Sequence, residues 1–199
     1  MDEIEYFNKI ITQSDLTKEK DVKYCLENCS SEECLTVPNG TYVSRSKFKM
    51  LFADVWAQPS LYKNDVCNLH ISESEVDLIR TGPYGWIWLS SKSDNTNKIN
   101  RLIMEGELKG CSNSRIKLLH IFRGGSAWIQ EGAEIDNLTC YGVATIESSA
   151  NVKGFCLYPG GILKFKEDEE SPHLDISSMR PPHKERVKVR NIWYTILFG

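Results

Sequence analysis

The strongest constraint on what this chain can fold into is a repeat between Gly85 and Lys166, in blocks of seventeen to nineteen residues. Placing glycines in register aligns Gly125-Ser-Ala-Trp-Ile129, Gly142-Val-Ala-Thr-Ile146 and Gly161-Ile-Leu-Lys-Phe165, at spacings of 17 and 19. Behind the first two, Ile129 to Leu138 matches Ile146 to Phe155 position for position, and Ile103 to Cys111 matches both with one residue missing. Gly85-Trp-Ile-Trp-Leu89 fits the opening half of the block.

Within each block the apolar residues fall two apart, the period of a strand, and each run is short before Gly, Asn or Ser interrupts it. Helical repeats are longer and carry a 3.6-residue period, so a unit this short predicts one coil of a β-solenoid. The competing architecture is a β-sandwich with regular turns. Stacking would pile Ile129 on Ile146, Ile135 on Val152 and Leu138 on Phe155, and would place the glycines at corners with positive φ or close backbone approach. The expected fold is mainly β: a single-stranded parallel β-solenoid (β-helix) of about five short coils, with an N-terminal α-helical cap and a C-terminal capping strand. The implied division is 1–60 for a helical cap or subdomain with a hairpin, 61–84 for lead-in strands, 85–166 for the solenoid and 167–199 for a linker and capping strand.

Over residues 85–166 the Gly-Gly-Ser-Ala-Trp-Ile-Gln-Glu-Gly-Ala and Tyr-Pro-Gly-Gly-Ile-Leu-Lys-Phe stretches resemble the stalk repeats of AIDA-type bacterial autotransporter adhesins. That resemblance implies a right-handed β-helix used as a non-catalytic adhesive or partner-binding surface, and it brings no catalytic residues. The passenger length, export signal and membrane barrel of that family have no counterpart in the rest of the sequence.

At 199 residues the chain can bury one good core. A net charge of −3 argues against a nucleic-acid-attracting field, and a single short acidic run at Glu167 to Glu170 argues against a DNA mimic. An acidic start, Met-Asp-Glu-Ile-Glu, with no span-length apolar stretch, predicts a cytoplasmic protein without a membrane partner, whose seven cysteines stay thiols.

Upstream, Ile4, Phe7, Ile10 and Ile11 share a helical face, and Asp15 is placed to cap a second helix carrying Leu16, Val22, Cys25, Leu26 and Cys29. Pro38-Asn39-Gly40 between strand-like arms predicts a hairpin. Phe48, Leu51, Phe52, Val55 and Trp56 follow at amphipathic spacing behind Ser46, predicting a helix that covers the first coil and its outward aromatics. Ser90 to Asn97 and Ser112 to Arg115 are expected as projecting loops. The apolar tail from Val187 to Phe198 is expected to close the stack or to contact a second copy.

Cys25, Cys29, Cys34, Cys67 and His70 have spacings that zinc tolerates, with apolar packing of Cys25 and Cys29 as the competing reading. Cys111 is expected in the column of Leu138 and Phe155, and Cys140 in that of Leu157. His70, His120, His173 and His183 are scattered, and no nucleophile elbow, phosphate loop or dinucleotide fingerprint occurs. Glu134, Asp136, Asn137 and Lys153 can approach across neighbouring coils, as the acidic and basic groups of polysaccharide-cleaving β-helices do. Trp86 and Trp88 should share one face, opposite Ile87 and Leu89. With Trp128 and a basic stripe at Arg101, Lys109, Arg115, Lys117 and Arg123, they form the candidate contact surface.

The leading expectation is a non-enzymatic protein that docks a rigid β-solenoid on another protein or complex, as adaptor, inhibitor or assembly subunit. Such a chain suits a mobile-element-encoded inhibitor of a host enzyme complex. The alternatives are a carbohydrate-active β-helix enzyme and a zinc-stabilised, nucleic-acid-associated module.

Overall fold

The computed structural model describes residues 2–16, 22–53, 67–91, 96–147 and 149–165, with the backbone alone at 2, 67, 173–174, 183–189 and 192–198. The chain opens with β1 (Asp2–Phe7), a 3-10 turn at Gln13–Asp15, β2 (Val22–Glu27), β3 (Ser30–Thr36), β4 (Thr41–Ser44) and β5 (Lys47–Ala53). It continues with β6 (Cys67–Ser72), β7 (Glu75–Thr81), β8 (Gly85–Leu89), β9 (Asn97–Met104), β10 (Glu107–Cys111) and β11 (Ser114–Ile121). Then come β12 (Ser126–Ile129), β13 (Glu134–Cys140), β14 (Val143–Ile146), β15 (Asn151–Leu157), β16 (Ile162–Phe165), β17 (His173–Leu174), β18 (His183–Val189) and β19 (Ile192–Phe198).

From β2 to β17 the strands alternate between two parallel sheets, so the chain winds as a solenoid, and β18 and β19 pair apart from it. Sheet A holds nine strands in the order β1-β2-β4-β6-β8-β10-β12-β14-β16, and sheet B holds eight from β3 to β17. From β2–β3 to β14–β15 this makes about seven turns, not the five expected, because residues 22–53 and 67–81 wind as coils of the same stack. The predicted columns are present: Ile129 pairs Ile146, Ile135 pairs Val152 and Leu138 pairs Phe155, all parallel and buried.

Each sheet writes its own apolar code. Short A strands bury alternate residues, Leu69 and Ile71, Ile87 and Leu89, Ala127 and Ile129, Ala144 and Ile146. B strands bend, leaving two consecutive residues turned outward, so buried positions fall at i, i+3 and i+5: Phe48, Leu51, Ala53; Ile116, Leu119, Ile121; Val152, Phe155, Leu157. That bend explains why a helix was expected behind Ser46. Over one strand the i, i+3 spacing imitates an amphipathic helix, yet residues 47–53 are strand β5; Val55 and Trp56 lie outside the described residues.

Among the described residues there is no α-helix, so the helical cap is replaced by further coils. Residues 2–7 and 22–27 are strands. The end of the core is instead sealed by buried Ile11 and Leu16 on either side of the 3-10 turn. There the Gln13 side-chain amide donates to the Thr36 carbonyl at 3.0 Å and accepts from the Thr36 N–H at 2.6 Å, standing in for a missing strand beside β3. The expected hairpin at Pro38-Asn39-Gly40 is a corner, since β3 and β4 belong to different sheets.

Two kinds of corner close each coil. From sheet B to sheet A the backbones nearly touch: a Cβ at Gly142 would lie 2.2 Å from the Gly125 carbonyl oxygen, and Gly124 beside it sits at φ +86°. From sheet A to sheet B the corner residue takes a left-handed conformation at Asn28, Arg45, Glu73 and Asn113. The next residue turns inward and forms a buried polar ladder. Ser46 N–H donates to Ser74 Oγ, Ser74 N–H donates to Asn97 Oδ1, and Asn97 Nδ2 donates to Ser114 Oγ, each at 3.1 Å. The buried groups of this ladder are thus partnered across coils, and the Ser46, Ser74 and Ser114 hydroxyls donate in turn to the carbonyls of Ser44, Ser72 and Ser112 in their own corners. Asn97 and Ser114 are therefore core residues that begin strands, not members of projecting loops.

One register differs from expectation. Cys111 pairs Ile129 in sheet A and does not share the Leu138 column, because Gly106 stacks on Gly125 and so puts the Ile103–Cys111 block half a coil away from Ile129–Leu138. Cys140 does pair Leu157. The apolar tail forms the expected strand, β19, which pairs antiparallel with β18 and contacts β15.

Candidate functional site

Parallel pairing puts outward side chains of sheet A into rows across the coils, in unbroken register from β1 to β8 and shifted by a bulge in β10. One row runs Glu5, Cys25, Tyr42, His70, Trp88 and Gly110 on β1, β2, β4, β6, β8 and β10. Its rings stack: Tyr42 on His70 at 4.6 Å between centroids, and His70 toward Trp88 at 6.1 Å with planes 7° apart. Tyr42 and Trp88 remain 42% and 41% exposed, a large apolar area for a polar molecule to leave in water. Burial between the rings lowers the pKa of His70, so the imidazole is neutral at pH 7 and adds no charge to the stack.

Trp86 and Trp88 face outward, and Ile87 and Leu89 face the core, as alternation predicts. No helix covers them among the described residues, contrary to the expectation of a cap. Trp86 carries the Lys109 ammonium 3.0 Å above its ring, a cation–π contact. Trp128 lies on the same sheet and donates from Nε1 to Glu147 Oε1 at 3.0 Å. At the N-terminal end of this face a groove of about 750 Å³ opens, with Tyr42 and His70 among its lining residues and Glu3, Glu5, Glu27 and Glu73 also lining it.

The structure divides the expected contact surface. Arg101, Arg115 and Lys117 project from β9 and β11 in sheet B, on the side opposite the tryptophans, and Arg123 sits at a corner. Sheet B neutralises much of its own charge. Lys98 meets Glu75 at 2.9 Å, Arg115 meets Glu134 at 3.9 Å, and Lys153 meets Asp136 at 2.8 Å across adjacent coils. Of the four residues expected to approach, Asp136 and Lys153 meet as an ion pair, while Glu134 meets Arg115 and the Asn137 amide donates to the Lys117 carbonyl. A second aromatic row, His120, Phe122, Tyr141 and Tyr158, climbs the corner near Arg123, with Tyr141 and Tyr158 stacked at 4.0 Å.

The candidate zinc ligands do not converge. Cys25 projects from sheet A, where its thiol donates to Glu3 Oε1 at 2.9 Å and is pushed up to about 11, by burial first and then by that carboxylate. Cys29 is buried at a corner, Cys34 is exposed on sheet B, and His70 is held between rings. The Cys67 side chain lies outside the described residues. Among the described residues, no three His, Cys, Asp or Glu side chains gather as a metal site.

Sequence reasoning missed Tyr42 and the stacking role of His70. A signal was present: Tyr42-Val-Ser-Arg-Ser-Lys-Phe48 matches His70-Ile-Ser-Glu-Ser-Glu-Val76, and Cys111-Ser-Asn-Ser-Arg-Ile116 repeats the same corner. Aligning them would have placed Tyr42 over His70. No family model matches this chain, and neither a curated protein nor a solved structure matches it.

Proposed function

We propose that this protein is a non-enzymatic binding module that docks the outer face of sheet A on another protein. The observation that carries the reading is the exposed row Tyr42, His70 and Trp88 on successive coils, held rigid by stacking and by the parallel ladder beneath. Rigid aromatics that need no reordering are the side chains that contribute most at protein interfaces. Sheet B offers mainly cross-coil ion pairs, which are well solvated and add little. The resemblance to adhesin stalk repeats points in the same direction, toward a solenoid wall that binds and does not catalyse. Adaptor, inhibitor and assembly subunit all use such a wall, and inhibition of a host enzyme complex is one form it takes.

The test is affinity capture from the native cell with mass spectrometry, using the wild type, a Tyr42→Ala/Trp88→Ala variant and a Lys98→Ala/Lys117→Ala variant. Loss of the captured protein from the first variant and its retention by the second support the reading. Retention by the first overturns it.

A further inference from the structure

The Tyr42, His70 and Trp88 stack has two ends, and they differ. At one end Trp88 lies against Gly110, where an added Cβ would come within 3.3 Å of the indole, so that ring face rests on backbone. At the other end Tyr42 stacks on His70 with one face and turns its second face toward the next coil, where its register partner is Cys25. A cysteine is too short to cover a phenol ring. One coil further on, Glu5 pairs Cys25, and Glu3 bonds the Cys25 thiol. Adjacent strands lie about 4.8 Å apart, so the space over Cys25, between the Tyr42 ring and the Glu5 carboxylate, is about 9.6 Å deep along the stack. A flat cation needs about 3.5 Å to a ring on one side and about 3 Å to a carboxylate on the other. That is about 6.5 Å in all, so the notch admits the cation with about 3 Å to spare, which the Glu5 side chain can close by leaning toward Tyr42.

Its chemistry matches its shape. This end of the groove is walled by Glu3, Glu5 and Glu27, with Lys23 the one lysine among its lining residues. The Arg45 guanidinium already pairs with Glu27, so Glu3 and Glu5 supply the charge facing the notch. Elsewhere on its exterior the same chain sets cations on aromatic faces, Lys109 on Trp86 at 3.0 Å and Lys9 on Tyr6 at 4.5 Å. Arginine fits better than lysine, because a planar guanidinium stacks on one side while forking to carboxylates at its edge.

We propose that the notch over Cys25, between the open face of Tyr42 and the carboxylates of Glu3 and Glu5, takes the guanidinium of an arginine on an extended, basic segment of the docking partner. This rests on the reading of sheet A as the docking face and adds the chemistry of what docks there.

The probe is a fluorescein-labelled (Gly-Arg)4 peptide, with (Gly-Lys)4 and (Gly-Glu)4 alongside, titrated by fluorescence anisotropy against the full chain at low and at physiological salt. The arginine peptide binds the wild type about fivefold or more tighter than the lysine peptide, and the glutamate peptide does not bind. Cys25→Phe, which fills the notch and extends the stack, weakens binding about tenfold, and so do Glu5→Gln and Tyr42→Ala. Glu32→Gln/Glu131→Gln removes more charge elsewhere and changes binding less than about twofold. Equal loss in that control, or no loss in Cys25→Phe, reduces the effect to net charge and overturns the proposal. So does a wild type that binds no peptide. If capture of the native partner still depends on Tyr42 and Trp88 in that case, the docking face stands and only the arginine site falls.

Discussion

Substituting Gly142 with alanine probes how tightly the coils are stacked. The new methyl would sit 2.2 Å from the Gly125 carbonyl oxygen, 2.5 Å from that of Phe122 and 2.9 Å from Ile121 Cγ2. Two of these are backbone atoms of the neighbouring coil and cannot rotate aside, so the coils must separate by about 1 Å. Overpacking of this kind costs about 1–3 kcal/mol. The same corner carries the Val143 N–H bond to the Gly125 carbonyl at 3.0 Å and the Ile162 N–H bond to the Gly142 carbonyl at 2.8 Å. Stretching both adds about 1–2 kcal/mol, for a total near 4. With a urea dependence of about 2 kcal/mol per molar, the midpoint should fall by about 2 M. Gly124→Ala is the control: nothing lies within 4 Å of its Cβ, and only its φ of +86° is unfavourable. That costs about 1 kcal/mol, a shift of about 0.5 M. Because each coil touches only its neighbours, hydrogen exchange in Gly142→Ala should accelerate over β12 to β16 and leave β4 to β7 protected. A midpoint for Gly142→Ala no lower than that of Gly124→Ala would refute the reasoning.

Asn97→Leu keeps the volume but leaves the buried Ser74 N–H without its acceptor and removes a donor from Ser114 Oγ, and should cost about 2–4 kcal/mol by urea titration; Asn113→Gly, which suits the corner at φ 44° but loses the amide bond to the Ser91 carbonyl, should cost less, about 1 kcal/mol. Asp15 is held down to about 2 by its hydrogen bond to the Lys9 ammonium first and to the Thr12 N–H next. The stability it lends the N-terminal end is therefore complete above its unfolded value of 3.8 and lost as pH falls toward about 2. Amide exchange at Ile11 to Leu16 should accelerate over that window in the wild type and show no such step in Asp15→Asn. His70 has its pKa lowered by burial, so its contribution is complete above 6.5 and lost as pH falls through the folded value. Trp88 fluorescence should report that titration with a midpoint below 6.5, and His70→Gln should abolish it.

The C-terminal coils were legible because their corners are written in glycine. Gly125, Gly142 and Gly161 recur where backbones nearly touch, and the strands between them are uninterrupted, so the period shows in the letters. The earlier coils obey the same geometry with other residues. Arg45 and Glu73 occupy left-handed corners where asparagine or glycine would have announced a turn, and 54–66 intervenes between β5 and β6. The bend in sheet B did the rest, spacing Phe48 and Leu51 as a helix would. The Trp86 and Trp88 face was read correctly from alternation inside one strand. The wider site was not, because Tyr42 lies 28 residues before His70 and Trp88 lies 18 after it. Only the coil register brings them together. The basic residues were grouped with the tryptophans because both occur in the same coils, but a coil has two sides, and chain proximity does not choose between them.

Successive coils stack in parallel, in unbroken register from β11 to β15 in sheet B and from β12 to β16 in sheet A, and the docking face depends on that stacking. The most direct measurement is the set of methyl–methyl contacts in a nuclear magnetic resonance spectrum of selectively labelled Ile, Leu and Val. Continuous cross-peaks from Ile129 to Ile146, from Ile116 to Ile135 and from Ile135 to Val152 are predicted. Absence of the Ile129 to Ile146 contact, or backbone contacts of antiparallel type between β12 and β14, contradicts the fold and the rigid docking face with it.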